Sequence, residues 1–298
     1  MAVLTGTGGI PVIEGGAPGG QVTEPGQLQY GDMLLGAGTP AGWRELFGWR
    51  DMPEAQIADS PRPQAHGSYA GAVFGDSLAV TFVFLLRGTP ATKIAALNAL
   101  ERFAPMDGVD RPLAVDDGDG VWLRNARVIG RQVPQGIHFS HAPVECSMQF
   151  LCADPRRYAA TELSESVSLP ESSGGIEYPT VYPLEYGTSS SGQVTATNGG
   201  SVATPPVLTF YGPLTDPVLS CEAWTLGFNL TLADGETLTV DTAEGTALLN
   251  GTADRLYAVR NDADPLERCT LPPGDTNLAL IAPSGTGRVV VAYRDARM

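Results

Sequence analysis

From Gln193 onward the chain is a succession of short apolar runs cut by turn signals. The runs are QVTAT, PVLTFYG, DPVLSCEAW, TLGFNLTL, ETLTVDT, TALLNG, DRLYAVR, TNLALIA and GRVVVAYRDA. Between them stand TNGGS, ADGE, LPPGDTN and SGTG. Strands of this length at this spacing pack as a β-sandwich or jelly roll, because no run is long enough for an amphipathic helix. With 36 Gly and 24 Pro in 298 residues, turns are plentiful throughout. The length itself favours two domains.

Upstream, the pattern becomes globular from Tyr30 to Arg157, while residues 1 to 30 read as an arm or an irregular first strand. DSLAVTFVFLLRG is apolar on both parities, as in a strand buried on both faces. A single helix is predicted over TPATKIAALNALERFAP, with Thr89 as N-cap, Pro90 at the first helical position and Pro105 as terminator. Its apolar stripe is Ile94, Leu97, Leu100 and Phe103, with Lys93, Asn98, Glu101 and Arg102 off it. RPLAVDDGDGVWLRNARVIGRQV reads as a hairpin with an Asp/Gly tip, and GIHFSHAPVECSMQFLCADPRRY as a further strand halted at Pro155. Residues 161–192 change character. Five acids (Glu162, Glu165, Glu171, Glu177, Glu185) occur there without Lys or Arg, among Ser, Gly and Pro, as in an extended linker. The expected division is therefore 1–160, a linker over 161–192, and a sandwich over 193–298.

Net charge is −15, and Lys93 is the single lysine among 18 basic residues. Gripping nucleic acid needs a basic surface to neutralise phosphates, so that class is argued against. The first residues lack the basic and apolar regions of a signal peptide, and LAVTFVFLL is far too short for a membrane span. Of the four cysteines, Cys146 and Cys152 would stand roughly 20 Å apart along one strand, too far to bridge, and buried free thiols are expected.

The motifs point away from chemistry. GTGGIPVIEGG lacks the Lys-Ser/Thr of a phosphate loop. DDGDG (Asp116, Asp117, Asp119) lacks the remaining ligands of a calcium loop and suits a turn. His138 and His141 would face opposite sides of a strand, so no metal site is expected, and no cofactor is called for. No GxSxG is present. His66, in PRPQAHGSYAG, has no acid–base partner in view and is expected to fix a loop corner by hydrogen bonding, with Gly67 supplying backbone freedom.

Taken in order, GWRDMPEAQIADSPRPQAHGSYAGAVFGDSLAVTFVFLLRG, ADPRRY, TNGGSVATPPVLTFYGP and GETLTVDT with the strands after it resemble the distal tail proteins, or minor tail proteins, of long-tailed phages (siphophages), chiefly those of actinobacteria. The resemblance runs over nearly the whole chain from about residue 30. It implies a mainly β protein: an N-terminal split β-barrel with one packed helix, akin to tail-tube subunits, and a C-terminal β-sandwich of jelly-roll, carbohydrate-binding-module type. It also implies a structural virion protein without enzymatic activity. Such proteins form a homo-hexameric ring at the tail tip or baseplate, between the tail tube protein and the tail-tip hub, with no membrane contact. The acidic balance suits such a conduit, since a wall of like charge does not retain the DNA passing through it. The DDGDG tip is then expected to face the lumen or the next ring. A rival reading is a binding module for host cell-wall glycan, with Trp224, Tyr257 and Tyr293 as stacking platforms.

Overall fold

The computed structural model describes residues 10–13, 15–136, 139, 141–170, 172–173, 188–189 and 192–298. The chain divides into two compact units, residues 1–160 with Met298, and residues 161–297. Each is held by its own core.

In the first unit the early strands are β1 (Gln27–Tyr30), β2 (Met33–Gly36) and β3 (Ala41–Phe47). Four short strands follow, β4 (Ala55–Ile57), β5 (Ser60–Pro61), β6 (Ser68–Tyr69) and β7 (Val73–Gly75). Then come β8 (Leu78–Leu86), α1 (Pro90–Phe103), β9 (Arg111–Asp116), β10 (Val121–Gln132), β11 (Val144–Cys152) and β12 (Arg157–Ala159). The main sheet runs β2-β1-β9-β10-β11-β8-β3, with β12 beside β10. Its pairs are antiparallel. Strand β10 makes the corner. Residues 121–126 pair with β9 and residues 127–132 with β11, with a register shift between Val128 and Gly130. A bulge there re-aims the strand and bends the sheet. The result is a split barrel: Tyr30 on β1 meets Phe150 on β11 with ring centroids 5.0 Å apart, although three strand intervals separate them in the sheet.

Helix α1 begins as its sequence predicts, with Thr89 Oγ1 accepting from the Thr92 N–H at 3.2 Å. Its inward face differs from the predicted stripe. Ile94 is 52% exposed, whereas Lys93 is 1% exposed and shares the buried face with Ala96 and Leu100. The face is rotated because the lysine is not left as an unpaired charge. Its ammonium donates to the carbonyls of Phe139 and Ala142, each at 2.6 Å, and lies 5.5 Å from the Phe139 ring. Strand β8 also departs from expectation. Leu78, Val80, Phe82, Phe84 and Leu86 are buried, but the alternate residues Val83 and Leu85 are only half covered.

In the second unit β13 (Leu163–Ser168) opens the fold, followed by the short pair β14 (Ser172–Ser173) and β15 (Thr188–Ser189). The stretch expected as linker is therefore structured at its start. Its main chain pairs with the last long strand, with Val167 buried and Leu163 half-buried on the face that also carries Glu165. Of the remaining acids, Glu162 accepts from Arg294 at 2.9 Å, while Glu171, Glu177 and Glu185 lie outside the described residues. The succeeding strands are β16 (Gln193–Asn198), β17 (Val207–Tyr211), β18 (Leu214–Thr215), β19 (Val218–Ser220), β20 (Thr225–Gly227) and β21 (Thr231–Leu232). They continue as β22 (Thr237–Asp241), β23 (Thr246–Leu249), β24 (Ala253–Asp254), β25 (Gly274–Ile281), β26 (Ser284–Gly285) and β27 (Arg288–Tyr293).

Two antiparallel sheets, β13-β27-β17-β22-β23-β24 and β16-β25-β19-β20, form a sandwich. The alternate residues Leu208, Phe210, Val289 and Val291 from one sheet and Leu219, Leu278 and Leu280 from the other are buried in one core. DRLYAVR, expected as a strand, instead turns through a 3₁₀ helix at Leu256–Ala258. Leu256 and Tyr257 are both exposed there, so no alternating face exists for a sheet to bury. Among the described residues no helix is long and apolar enough to cross a membrane.

Candidate functional site

The first unit carries a hairpin that its own core does not use. Strand β4 pairs with β7 and β5 with β6, so residues 55–61 and 68–75 form one long ribbon. Every residue from Asp59 to Gly71 is exposed. So are Met52 (83%), Ile57, Tyr69, Val73 and Phe74 (64%), large apolar side chains that a monomer has no reason to display together. The junction between the two strand pairs is pinned. Asp59 accepts from Ser68 Oγ at 3.0 Å and from the Gly71 N–H at 2.8 Å. Gly71 is required here because an added Cβ would lie 2.0 Å from the Ala58 carbonyl oxygen.

His66 stands at the tip of this hairpin. The turn is closed by the main chain, with the Arg62 N–H donating to the Gly67 carbonyl at 3.2 Å and Gly67 at φ +94°. Arg62 lies 5.0 Å over the Tyr69 ring. The imidazole of His66 is exposed and supplies none of these contacts, so the corner is made by main chain and glycine and not by imidazole hydrogen bonding.

The hairpin's root is fixed by a buried arginine. Arg124 on β10 is 1% exposed. It donates through NH1 to the Trp49 carbonyl at 2.7 Å and through Nε to the Pro155 carbonyl at 3.1 Å, and lies 5.0 Å over the Trp49 ring. Burial pulls its pKa down to about 10, so it stays protonated at neutral pH. The adjoining turn is stapled by Asp154, which accepts from Arg156 Nε at 2.9 Å and from the Tyr158 hydroxyl at 2.6 Å. Burial pushes the Asp154 carboxyl up, but those donors outweigh it and hold the group below its ordinary range.

Beside the root runs an open groove of about 510 Å³. Its lining includes Trp43, Leu46, Phe47 and the largely buried Trp49, together with Asp51 and residues 115–118. The DDGDG tip therefore forms part of a wall and is not a free display of charge. Asp117 is 7% exposed and accepts from Arg50 Nε at 3.1 Å and Arg157 NH1 at 3.0 Å. Asp116 accepts from the Gly118 N–H at 2.9 Å, and the Asp119 carbonyl accepts from Trp122 Nε1 at 3.1 Å.

In the second unit, two of the three expected sugar platforms are unavailable. Trp224 is 3% exposed and donates through Nε1 to the Thr270 carbonyl at 2.9 Å. Tyr293 is 4% exposed, and its hydroxyl accepts from the Thr197 N–H at 2.9 Å. Each ring lies in the core and its polar atom is satisfied there, which suits a wall of the sandwich and not a ligand. Tyr257 is exposed, alone of the three, beside Arg255. Cys146, Cys152 and Cys269 are buried free thiols, with burial pushing Cys146 and Cys152 up to about 11 and Cys269 to about 12, and Cys221 is half-buried. His138 lies outside the described residues, and His141 is exposed. Among the described residues no group of three or more His, Cys, Asp or Glu is placed to hold a metal.

Sequence reading missed the two buried cations and the exposed hairpin. The available signal for the hairpin was the stretch from Asp51 to Asp76, where short apolar runs of one to three residues are broken by Pro, Gly and polar residues without a sustained period.

No family model matches the chain, and no curated protein matches it. Solved structures do. The Dit protein of phage SPP1, described as a paradigm of the hub adsorption apparatus in Gram-positive infecting phages, aligns over 91% of this chain and 99% of its own, with 14% identity and a TM-score of 0.62. A chain of the phage P2 baseplate, in its activated conformation with Ca, aligns over 89% of this chain and 97% of its own, with 7% identity and a TM-score of 0.51. The fold of this chain is thus similar to that of the SPP1 Dit protein over nearly the full length of both chains.

Proposed function

We propose that this chain is a structural, non-enzymatic subunit of a phage tail tip, one that closes into a ring joining the tail tube to the tail-tip hub and leaves a channel for DNA. The likeness in fold to the SPP1 Dit protein, over almost the full length of both chains, carries this reading. The projecting hairpin supports it on physical grounds. A ring of identical subunits needs heterologous contacts, in which one surface of each copy meets a different surface of the next. An exposed apolar ribbon is a surface of that kind, because leaving it in water costs the hydrophobic free energy that burial on a neighbour would recover. The half-covered face of β8, with Val83 and Leu85, is a second. The acidic balance of −15 favours release of DNA over retention.

Light scattering on the purified chain, with negative-stain images of the same peak, tests the proposal. A six-membered ring with a central opening is the expected result. A chain that stays monomeric and also fails to co-sediment with purified tail tubes would refute it.

A further inference from the structure

The second unit holds two thiols, the half-buried Cys221 and the fully buried Cys269, far apart in sequence. We propose that they are a disulfide-forming pair, open while the chain is in a reducing compartment and closed once it meets an oxidising one. The timing rests on the tail-tip reading, in which the chain is made in a bacterial cytoplasm and works outside the cell. The pairing rests on the fold of the second unit alone.

Three observations carry it. The first is that the two segments are bonded side by side. Cys221 closes the β19–β20 turn, its N–H donating to the Trp224 carbonyl at 2.9 Å. From that turn Trp224 Nε1 donates at 2.9 Å to the carbonyl of Thr270, the residue after Cys269. Thr225 exchanges two bonds with Asp264, its N–H donating to the carboxylate at 2.9 Å and its carbonyl accepting from the Asp264 N–H at 2.8 Å. The segment that carries Cys269 is thus pinned beside the turn that carries Cys221, on both sides of the cysteine. The second observation is direction. Cys221 packs against the same core in which Cys269 is buried. Burial, Asp264 and the Cys221 thiol all push the Cys269 thiol up, so the two sulfurs sense each other's charge. The third is access. Cys221 is open to a small oxidant, whereas Cys269 is sealed and donates its S–H weakly to the Pro265 carbonyl at 3.6 Å. Cys146 and Cys152 share strand β11, too far apart along it to bridge each other.

With oxidised glutathione as oxidant, the chemistry is two exchanges. The Cys221 thiolate attacks the glutathione disulfide, which leaves a mixed disulfide on Cys221 and releases one glutathione thiolate. The Cys269 thiolate then attacks the Cys221 sulfur, forming the bridge and releasing the second. Both thiol protons pass to the departing glutathiones, and the two electrons lost by the cysteines reduce the oxidant.

Peptide mapping on the full chain tests the pair. The folded protein is incubated with oxidised glutathione, quenched in acid, alkylated with N-ethylmaleimide in denaturant and mapped by mass spectrometry. The expected result is a linked peptide pair holding Cys221 and Cys269, lost on adding dithiothreitol, with Cys146 and Cys152 recovered as alkylated thiols. The oxidised chain should melt at a higher temperature than the reduced one, because the bridge closes a long loop in the unfolded chain. Cys221→Ser should abolish both the linked pair and the shift. Glutathione retained on Cys221 with no linked pair, or a Cys221 left unreacted in the folded chain, would overturn the proposal. Mapping needs only the folded chain, so a negative result leaves the ring reading standing, and a chain that forms no ring leaves the thiol pair standing.

Discussion

Replacing Arg124 with methionine isolates the clamp at the hairpin's root. The substitution keeps much of the side-chain volume and removes the guanidinium. Two close carbonyl acceptors, Trp49 at 2.7 Å and Pro155 at 3.1 Å, lose their donors in a buried site. Each unsatisfied carbonyl costs about 1–3 kcal/mol. The lost contact with the Trp49 ring adds about 1 kcal/mol. Opposing these, the variant no longer buries a charge, and a pKa pulled down to about 10 places that relief at roughly 3 kcal/mol. The net expectation is a loss of about 2 kcal/mol, which for a unit of this size lowers the melting temperature by roughly 4–8 °C. Differential scanning calorimetry on the full chain reads this directly. Arg124→Lys should also destabilise, because a single ammonium cannot reproduce the planar fork that reaches both carbonyls. The carbonyls sit where the hairpin leaves the barrel, so limited proteolysis should cut residues 51–76 faster in both variants. A methionine variant that melts as the wild type does, with unchanged cleavage, would refute the clamp.

Four further outcomes are expected. Lys93→Met should cost about 1–3 kcal/mol in chemical denaturation, because the Phe139 and Ala142 carbonyls lose their shared donor. Asp154 is held below its ordinary range, so its contribution is fully present above about pH 4 and is lost as pH falls through the lower folded value. Asp154→Asn should therefore flatten the acid limb of the melting temperature against pH, and an unchanged slope would exclude this source. Gly71→Ala should splay the ribbon, since its Cβ would meet the Ala58 oxygen at 2.0 Å, and amide exchange across residues 55–75 should quicken while the barrel core is unaffected. Phe74→Ser should weaken self-association in sedimentation without lowering the melting temperature, because Phe74 is 64% exposed and packs in no core.

The sandwich was legible because its strands are short, alternate in pattern and are punctuated by turns. The alternation sets one face inward whatever the partner strand is, and eight of the nine runs are built around a strand, while DRLYAVR holds only the last residue of β24. DRLYAVR failed because Leu256 and Tyr257 are apolar yet exposed, and sequence records the character of a side chain but not its burial. The β9–β10 hairpin and the cap of α1 were legible because local chemistry decides both. The rotation of α1 was not. A lysine belongs outside unless two carbonyls, 46 and 49 residues away, arrive to receive it. Arg124 is the same case, held by main chain about 75 residues before it and 31 after it. For the candidate site, PRPQAHG announced a turn but gave no sign that the turn ends a ribbon the barrel does not touch. Trp224 and Tyr293 misled because an aromatic ring with a polar tip reads alike in a sugar platform and in a core where that tip finds a backbone partner.

The single lysine has an experimental use that follows from where it lies. Lys93 is the chain's only side-chain amine, and it is sealed beneath the backbone at Phe139 and Ala142. An acylating reagent therefore finds no side-chain amine to attack on the folded surface. Lys93 becomes reactive only when that backbone lets go, so the speed of acylation at one site measures how often the segment opens, against a background close to zero.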